Sequence, residues 1–269
     1  MLRVRSLLML ALTLPLAAMA TDEVLRLATT TSTANTGLME YLLPEFQQQT
    51  GITVHLIAVG TGKALRLGRE GDVDAVLVHA REAENAFIAA GHGVARREVM
   101  YNDFVIVGPR SDPAGATTSE TVAEVLKKIY QTRHPFISRG DDSGTHKREL
   151  VLWGMTNHVP AGSWYREVGQ GMGKTLQIAN EMDAYTITDR GTWLAYQAEL
   201  DIQLLFAGDP PLFNPYGIIA VNPERHAHVN FNGAEQLINW ITSASAQAMI
   251  AAFRVKGEPL FIPNAGGAN

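Results

Sequence analysis

Phe136-Ile137-Ser138-Arg139-Gly140-Asp141-Asp142-Ser143-Gly144-Thr145-His146-Lys147-Arg148-Glu149-Leu150 carries the chain from an apolar strand end, past a guanidinium, into hydroxyl residues that open a helix. That order suits a small oxyanion. The first turn of a helix leaves backbone N–H groups without intrahelical partners, and the helix dipole puts partial positive charge at the same spot. Ser143 and Thr145 add hydroxyl donors, Gly144 lets the backbone approach closely, and Arg139 offers a planar fork of charged donors that matches paired oxygens. Asp141 and Asp142 stand inside the same loop. An ionised carboxylate donates nothing to an anion, so either residue caps the helix or holds the Arg139 fork.

The same device recurs upstream. Leu25 to Ala28 is a strand-like run that leads into Thr29-Thr30-Thr31-Ser32-Thr33, and Leu38, Leu42 and Phe46 then follow at four-residue spacing, as on one face of a helix. Pro44 is expected to kink that helix and Gly51 to end it. Ile52 to Val59 is an apolar, branched strand that enters Gly60-Thr61-Gly62-Lys63 and a helix around Ala64 to Arg69. Asp74 to His79 reads as a buried strand and Glu82 to Ala90 as a helix, so the first part alternates strand and helix as a parallel sheet requires.

Further on, Tyr101 to Gly108 is a strand, and the polar stretch Arg110 to Thr118 reads as a passage between lobes. A helix opened by Ser119 carries Val122, Val125, Leu126 and Ile129 on one face, and the helix after the arginine loop covers His146 to Trp153. Thr175 to Met182 and Thr192 to Glu199 read as helices, and Ala184 to Ile187 and Ile202 to Phe206 as strands. Tyr216 to Val221 returns as a strand, and Ala234 to Phe253 is a pair of helical segments. Leu150, Trp153, Leu237 and Trp240 fall at helical spacing and are expected in the core. These elements predict an α/β protein of two lobes joined by two crossings: 21–108 with 211–269 as lobe one, and 109–210 as lobe two. A ligand belongs in the cleft where the carboxyl ends of both sets of strands meet.

Composition narrows the classes. Met1 to Ala20 reads as a secretory signal, with Arg3 and Arg5, a leucine-rich run from Leu7 to Leu16, and Ala18-Met19-Ala20 as a small-residue cleavage site. Beyond it no apolar run is long enough to cross a bilayer, so a periplasmic protein without membrane insertion is expected. Cysteine is absent, which removes disulfides, thiol catalysis, thiolate metal sites and a lipid-bearing cysteine. Removing Arg3 and Arg5 with the leader leaves 20 basic against 27 acidic residues, a net charge of about −7 that argues against nucleic acid as a partner. The same field opposes anions at long range, so affinity for one has to come from local donors.

Four motifs carry a family likeness: Ala28-Thr29-Thr30-Thr31-Ser32-Thr33, Val59-Gly60-Thr61-Gly62-Lys63-Ala64, Arg139 to Thr145, and Ala184-Tyr185-Thr186-Ile187-Thr188-Asp189-Arg190-Gly191-Thr192-Trp193. In that order, over nearly the whole mature chain, they resemble the periplasmic tungstate-binding proteins of ABC importers. The resemblance implies a type II periplasmic binding-protein fold with a dehydrated tetrahedral oxyanion, tungstate or molybdate, held between the lobes. It also implies delivery to an ABC permease with its ATPase, by a monomer without cofactor, bare metal cation or catalysis. Carried over by position, it implies ligand contacts at Thr30, Thr31 and Ser32, at Gly60 and Thr61, and at Arg139, Ser143, Gly144 and Thr145. Tyr185 and Thr188 follow from the motif around them.

Other readings are weighed on the same residues. Arg139 to Thr145 is also similar to the loop of phosphate-binding members of this fold, and a carboxylate such as Asp141 would accept the proton of hydrogen phosphate while repelling a fully deprotonated anion. The threonine-rich first loop favours the tungstate proteins, and Asp141 serves equally as a partner of Arg139. For an enzyme, Gly169-Gln170-Gly171-Met172-Gly173-Lys174-Thr175 imitates a nucleotide loop, but Val168 stands where that loop needs glycine and no clear buried strand precedes it. Gly60 to Lys63 fails as well, because Ala64 replaces the magnesium-binding hydroxyl. His226 and His228, in a polar segment without further ligands, read as solvated loop residues.

Overall fold

Side-chain alternation along a few apolar strands sets the architecture. The computed structural model describes residues 23–141 and 143–266. The signal read over Met1–Ala20, and Asp142, lie outside the described residues. In chain order the first elements are β1 (Glu23–Thr30), α1 (Thr31–Ala34), α2 (Leu38–Thr50), β2 (Ile52–Val59), α3 (Thr61–Glu70), β3 (Ala75–Val78), α4 (Arg81–Ala89) and β4 (Gly93–Gly108). Then come α5 (Val122–Thr132), β5 (Phe136–Ser138), α6 (Gly144–Gly154), β6 (Tyr165–Glu167), α7 (Met172–Glu181), β7 (Thr186–Asp189), α8 (Arg190–Tyr196) and β8 (Gln203–Phe206). The chain finishes with β9 (Phe213–Val221), α9 (Phe231–Ile241), α10 (Ala244–Ala252), β10 (Arg254–Val255), β11 (Glu258–Pro259) and β12 (Ile262–Pro263).

The first sheet has the order β12-β4-β9-β3-β1-β2. β1 pairs parallel with β2 and β3, whereas β9 runs antiparallel to both β3 and β4, so the sheet is mixed and not purely parallel. Leu27, Leu77 and Ile218 point to one side, into a cluster with Leu42 and Phe46 of α2 and Leu237 and Ile238 of α9. Their neighbours Ala28, Val76, Val78 and Ile219 point to the other side, against Ala64 of α3 and Phe87 of α4. A strand period of two thus yields a helix-sheet-helix sandwich.

β4 is the element that leaves this sheet. It pairs with β9 up to Asp103↔Phe213 and then, from Phe104 onward, with β7 and β8. Alternation continues through the change of partner: Phe104 and Ile106 enter a second core with Val125, Phe136, Trp153 and Tyr185, while Val105 and Val107 stay in the large cluster with Leu176 and Trp193. Beside these strands β5 and β6 form a small parallel pair.

Several expectations are corrected. β4 begins at Gly93, not Tyr101, because Arg96, Arg97 and Glu98 conceal a strand whose charges are paired: Arg96 lies 2.7 Å from Glu84 and 3.0 Å from Glu98. Thr121, not Ser119, caps α5, its hydroxyl accepting from Glu124 N–H. Leu150 is 48 % exposed instead of buried, since α6 turns Thr145, Glu149, Leu152 and Trp153 inward. Tyr165–Glu167 is a strand that its polar residues hid. Pro44 does lie inside α2, and Gly51 closes that helix at φ 75. Among the described residues no helix is long and apolar enough to cross a membrane.

Candidate functional site

Each of the three strand-to-helix turns is built locally. β1 ends in Thr30, extended at ψ 149, and its hydroxyl caps α1 by accepting from the Thr33 N–H at 3.1 Å. β2 lies beside β1 in parallel register, with Thr30 opposite Val59, so Gly60 and the start of α3 emerge next to the start of α1. After β5 and Arg139, Ser143 caps α6 and accepts from the His146 N–H at 3.3 Å. Thr31, Ser32, Gly60 and Gly144 are exposed, Thr61 and Ser143 are half-buried, and Thr145 is nearly buried.

Glycine in these turns answers to neither packing nor strain. A Cβ added at Gly60, Gly62 or Gly144 would meet nothing within 4 Å, and Gly60 has an ordinary φ of −71. Open space beside bare backbone N–H groups is what a close-approaching anion requires.

The arginine loop resolves what the sequence left open. Arg139 donates from Nη2 to Asp141 Oδ2, and the Ser143 N–H donates to Asp141 Oδ1 at 3.2 Å. Burial works against the charge on Asp141, but bonds from Ser143 and Arg139 prevail and hold its carboxyl below the usual range. Each of its oxygens thus accepts a bond from inside the loop. The Nε of Arg139 is buried and has no hydrogen-bond partner among the described residues. A buried charged donor in the loop leading to a helix N-terminus is suited to an anionic acceptor.

Residues beside the first turn and further along α6 reach neighbouring positions of β9. His79, directly after β3, lies 3.3 Å from Thr30 Oγ1 through Nε2 and 3.2 Å from Asn214 Oδ1 through Nδ1. Arg148 of α6 donates to the carbonyl of Phe213 at 2.7 Å. Phe213 and Asn214 are consecutive residues of β9, opposite Asp103 and Asn102 of β4. Arg190, at the start of α8, grips Asp103 with Nε at 2.5 Å and Nη2 at 2.6 Å. The second turn joins them through the β1–β2 register.

Tyr185 is placed elsewhere. Its ring is fully buried in the second core, and its hydroxyl donates to Asp112 Oδ1 at 2.9 Å while accepting from the Ala114 N–H at 2.8 Å. Burial, with Asp112 beside it, pushes the phenol pKa up, so this hydroxyl is engaged in packing the passage after β4. Thr188 is likewise buried, its hydroxyl on the Asp189 carbonyl at 3.2 Å. Sequence reasoning missed His79, Asn102, Asn214 and Arg148. The one cue was polar residues interrupting apolar strands, at Asn102 and Asn214.

One open groove of about 350 Å³ lies off these turns, between α2 and β2, and another of about 380 Å³ lies between α3 and α4 and reaches Gly62 of the second turn. His226 and His228 are engaged with the carbonyls of Arg69, at 2.9 Å, and Gly71, at 3.0 Å. Among the described residues no group of three or more His, Asp or Glu could hold a metal ion.

Comparison with known proteins places this arrangement. A model of the PBP superfamily domain matches residues 17–245. The tungstate-binding protein TupA of Peptoclostridium acidaminophilum is 49% identical over 243 residues, covering 89% of this chain and 85% of that protein. Among solved structures, the tungstate-binding protein TupA of Desulfovibrio alaskensis G20 superposes with a TM-score of 0.88 at 47% identity, covering 90% of this chain and 99% of that one. The tungstate ABC transporter structure from Geobacter sulfurreducens gives a TM-score of 0.74 at 51% identity, covering 86% and 99%.

Proposed function

Because the chain belongs to the periplasmic binding-protein superfamily and, within it, to the TupA-type tungstate-binding proteins, we propose that it captures tungstate between its two lobes for an ABC importer. The lobes expected at 21–108 with 211–269 and at 109–210 shift if the strand pairing is followed: β4 leaves β9 after Asp103, so residues 104–108 and Leu212 go with the second lobe and the crossings run through Asp103–Phe104 and Phe213–Asn214. Thr30 to Ser32 and Gly60–Thr61 form the lobe-one half of the site, and Arg139 and Ser143 to Thr145 the lobe-two half. The anion loses its water in the open cleft and gains backbone N–H, hydroxyl and guanidinium donors from both halves. Only bonds made in the closed state and absent from the open one shift the equilibrium toward closure.

One observation supports the choice of ligand: among the described residues of the arginine loop, the carboxylate is engaged by the loop's own donors. Asp141 already receives Arg139 and Ser143, and Arg139 Nε is buried without a partner among the described residues. Hydrogen phosphate needs a site that accepts its proton, whereas fully deprotonated tungstate or molybdate needs donors alone. The chain acts as a binding protein and not as an enzyme, works as a monomer in the periplasm after removal of the signal at Met1–Ala20, and hands its cargo to a permease driven by an ATPase.

Competition calorimetry with tungstate, molybdate, sulfate and phosphate on ligand-free protein tests this. Tungstate should bind at micromolar concentration or tighter. Phosphate binding with tungstate inert would reverse the assignment. Arg139→Ala should weaken tungstate binding about tenfold or more, by removing charge-assisted bonds of about 1.5 kcal/mol or above. Isotherms identical to those of the parent protein would refute that role.

A further inference from the structure

The sheet places His79 beside the first anion turn. β3 pairs with β1 through Thr29↔Leu77, so His79 emerges at the carboxyl end of the strands next to Thr30, and its ring packs on Tyr216 with centroids 4.7 Å apart. Which ring nitrogen carries the proton follows from the far side of the network. Asn214 donates its amide to Asn102 Oδ1 at 2.8 Å, so its oxygen is what faces His79 Nδ1 at 3.2 Å. An amide oxygen only accepts, and Nδ1 is therefore the protonated nitrogen. Burial lowers the imidazole pKa, despite Asn214 and the charge of Asp189, so at neutral pH the ring has one proton. Nε2 is left as an acceptor, 3.3 Å from Thr30 Oγ1.

Thr30 has one hydroxyl hydrogen to donate, and His79 Nε2 accepts that hydrogen bond. Its oxygen keeps two lone pairs, for which three donors compete: the Thr33 N–H at 3.1 Å, Thr33 Oγ1 at 2.5 Å and Ser32 Oγ at 3.1 Å. Thr33 is fully buried and Ser32 is exposed, so Ser32 is the donor released toward open space.

We propose that His79 is a positioning residue of the oxyanion site: anchored on the crossing strands through Asn214 and Asn102, it accepts the Thr30 hydroxyl's hydrogen bond and leaves the Ser32 hydroxyl as the first turn's donor to the anion. This deepens the functional reading above and rests on it. The consequence is that the donor set of the first turn is fixed from the crossings, since Asn102 and Asn214 are register partners in β4 and β9.

Imidazole nitrogen NMR of the ligand-free mature protein reads the tautomer directly, without reference to any ligand. The Nδ1–H form is expected at neutral pH, and an Nε2–H form would overturn the proposal. Tungstate titrations then separate a positioning role from a structural one. His79→Asn keeps a donor for Asn214 but has no atom near Thr30, and affinity should fall about fivefold. His79→Gln returns an acceptor oxygen to the Nε2 position and should recover most of that loss. Ser32→Ala combined with His79→Asn should bind no more weakly than Ser32→Ala alone. Equal affinity of all variants, or loss that follows melting temperature in Asn and Gln alike, would sink the idea. A parent protein that binds no tungstate would refute the functional reading, while the NMR result would still decide the tautomer.

Discussion

A buried carboxyl on α6 gives a sharp residue-scale expectation. Glu149 is 1% exposed and accepts from the Tyr165 hydroxyl at 2.7 Å, yet burial pushes its pKa up to about 7 from 4.5. Between those values the folded chain holds a proton that the unfolded chain has lost. The stabilisation is complete below the unfolded value and is lost as pH rises through 7, leaving a buried carboxylate that costs about 3 kcal/mol in alkaline solution. Glu149→Gln should therefore melt higher than the parent at pH 8 and lose the decline in stability from pH 5 to 8; parallel pH profiles would dismiss the effect. His79 acts in the opposite sense. Its lowered pKa means that stability is lost as pH falls below about 6.5. At this scale the sequence was legible where chemistry sits in one loop. Arg139, Ser143 and Thr145 could be read together because a helix N-terminus needs only adjacent residues. His79, Asn102 and Asn214 could not, since their contact joins positions 135 and 112 residues apart. Tyr185 illustrates the converse: its motif was visible, but the hydroxyl's partner, Asp112, lies 73 residues away and holds it in the second core.

At the scale of elements, legibility followed the apolar period. β2 was read with its observed bounds, because its branched apolar run ended at glycine. The first half of β4 was not, as its charges are neutralised by residues elsewhere in the chain. Glu84, fully buried on α4, meets Arg96 Nη2 at 2.7 Å and also receives the Ala80 N–H at 2.8 Å, so one carboxylate ties a helix start to a strand. Removing Glu84 leaves Arg96 with Glu98 as its remaining carboxylate, so the loss should stay below the about 3–5 kcal/mol of a buried charge left wholly unmatched. Glu84→Gln should lower the urea midpoint of unfolding, and a midpoint unchanged within error would show that Glu98 alone satisfies Arg96. Leu150 failed for a related reason. Spacing alone ranks it with Trp153, but the inward face of α6 is set by Glu149 and its bond to Tyr165, which rotates Leu150 to the surface.

At the scale of the molecule, two cores share one strand, and the anion turns are tied to the place where that strand changes sheets. Thr30 reaches Asn214 through His79, α6 reaches Phe213 through Arg148, and α8 grips Asp103 through Arg190. If the proposed lobes move about the crossings, the change must pass through these residues, and ligand binding would be coupled to the set of the crossings. A ligand that binds only the folded, closed arrangement stabilises it by mass action, about 2.7 kcal/mol at a free concentration one hundred times its Kd. For a chain of this size that corresponds to a rise in Tm of roughly 5–10 °C. Tungstate should give this rise together with a smaller radius of gyration in solution scattering, and both responses should fade in Arg139→Ala at the same ligand concentration. If scattering were unchanged while Tm rose, the lobes would already be closed without ligand, and the network at Asn102, Asn214 and Phe213 would be acting as a fixed brace and not as a hinge.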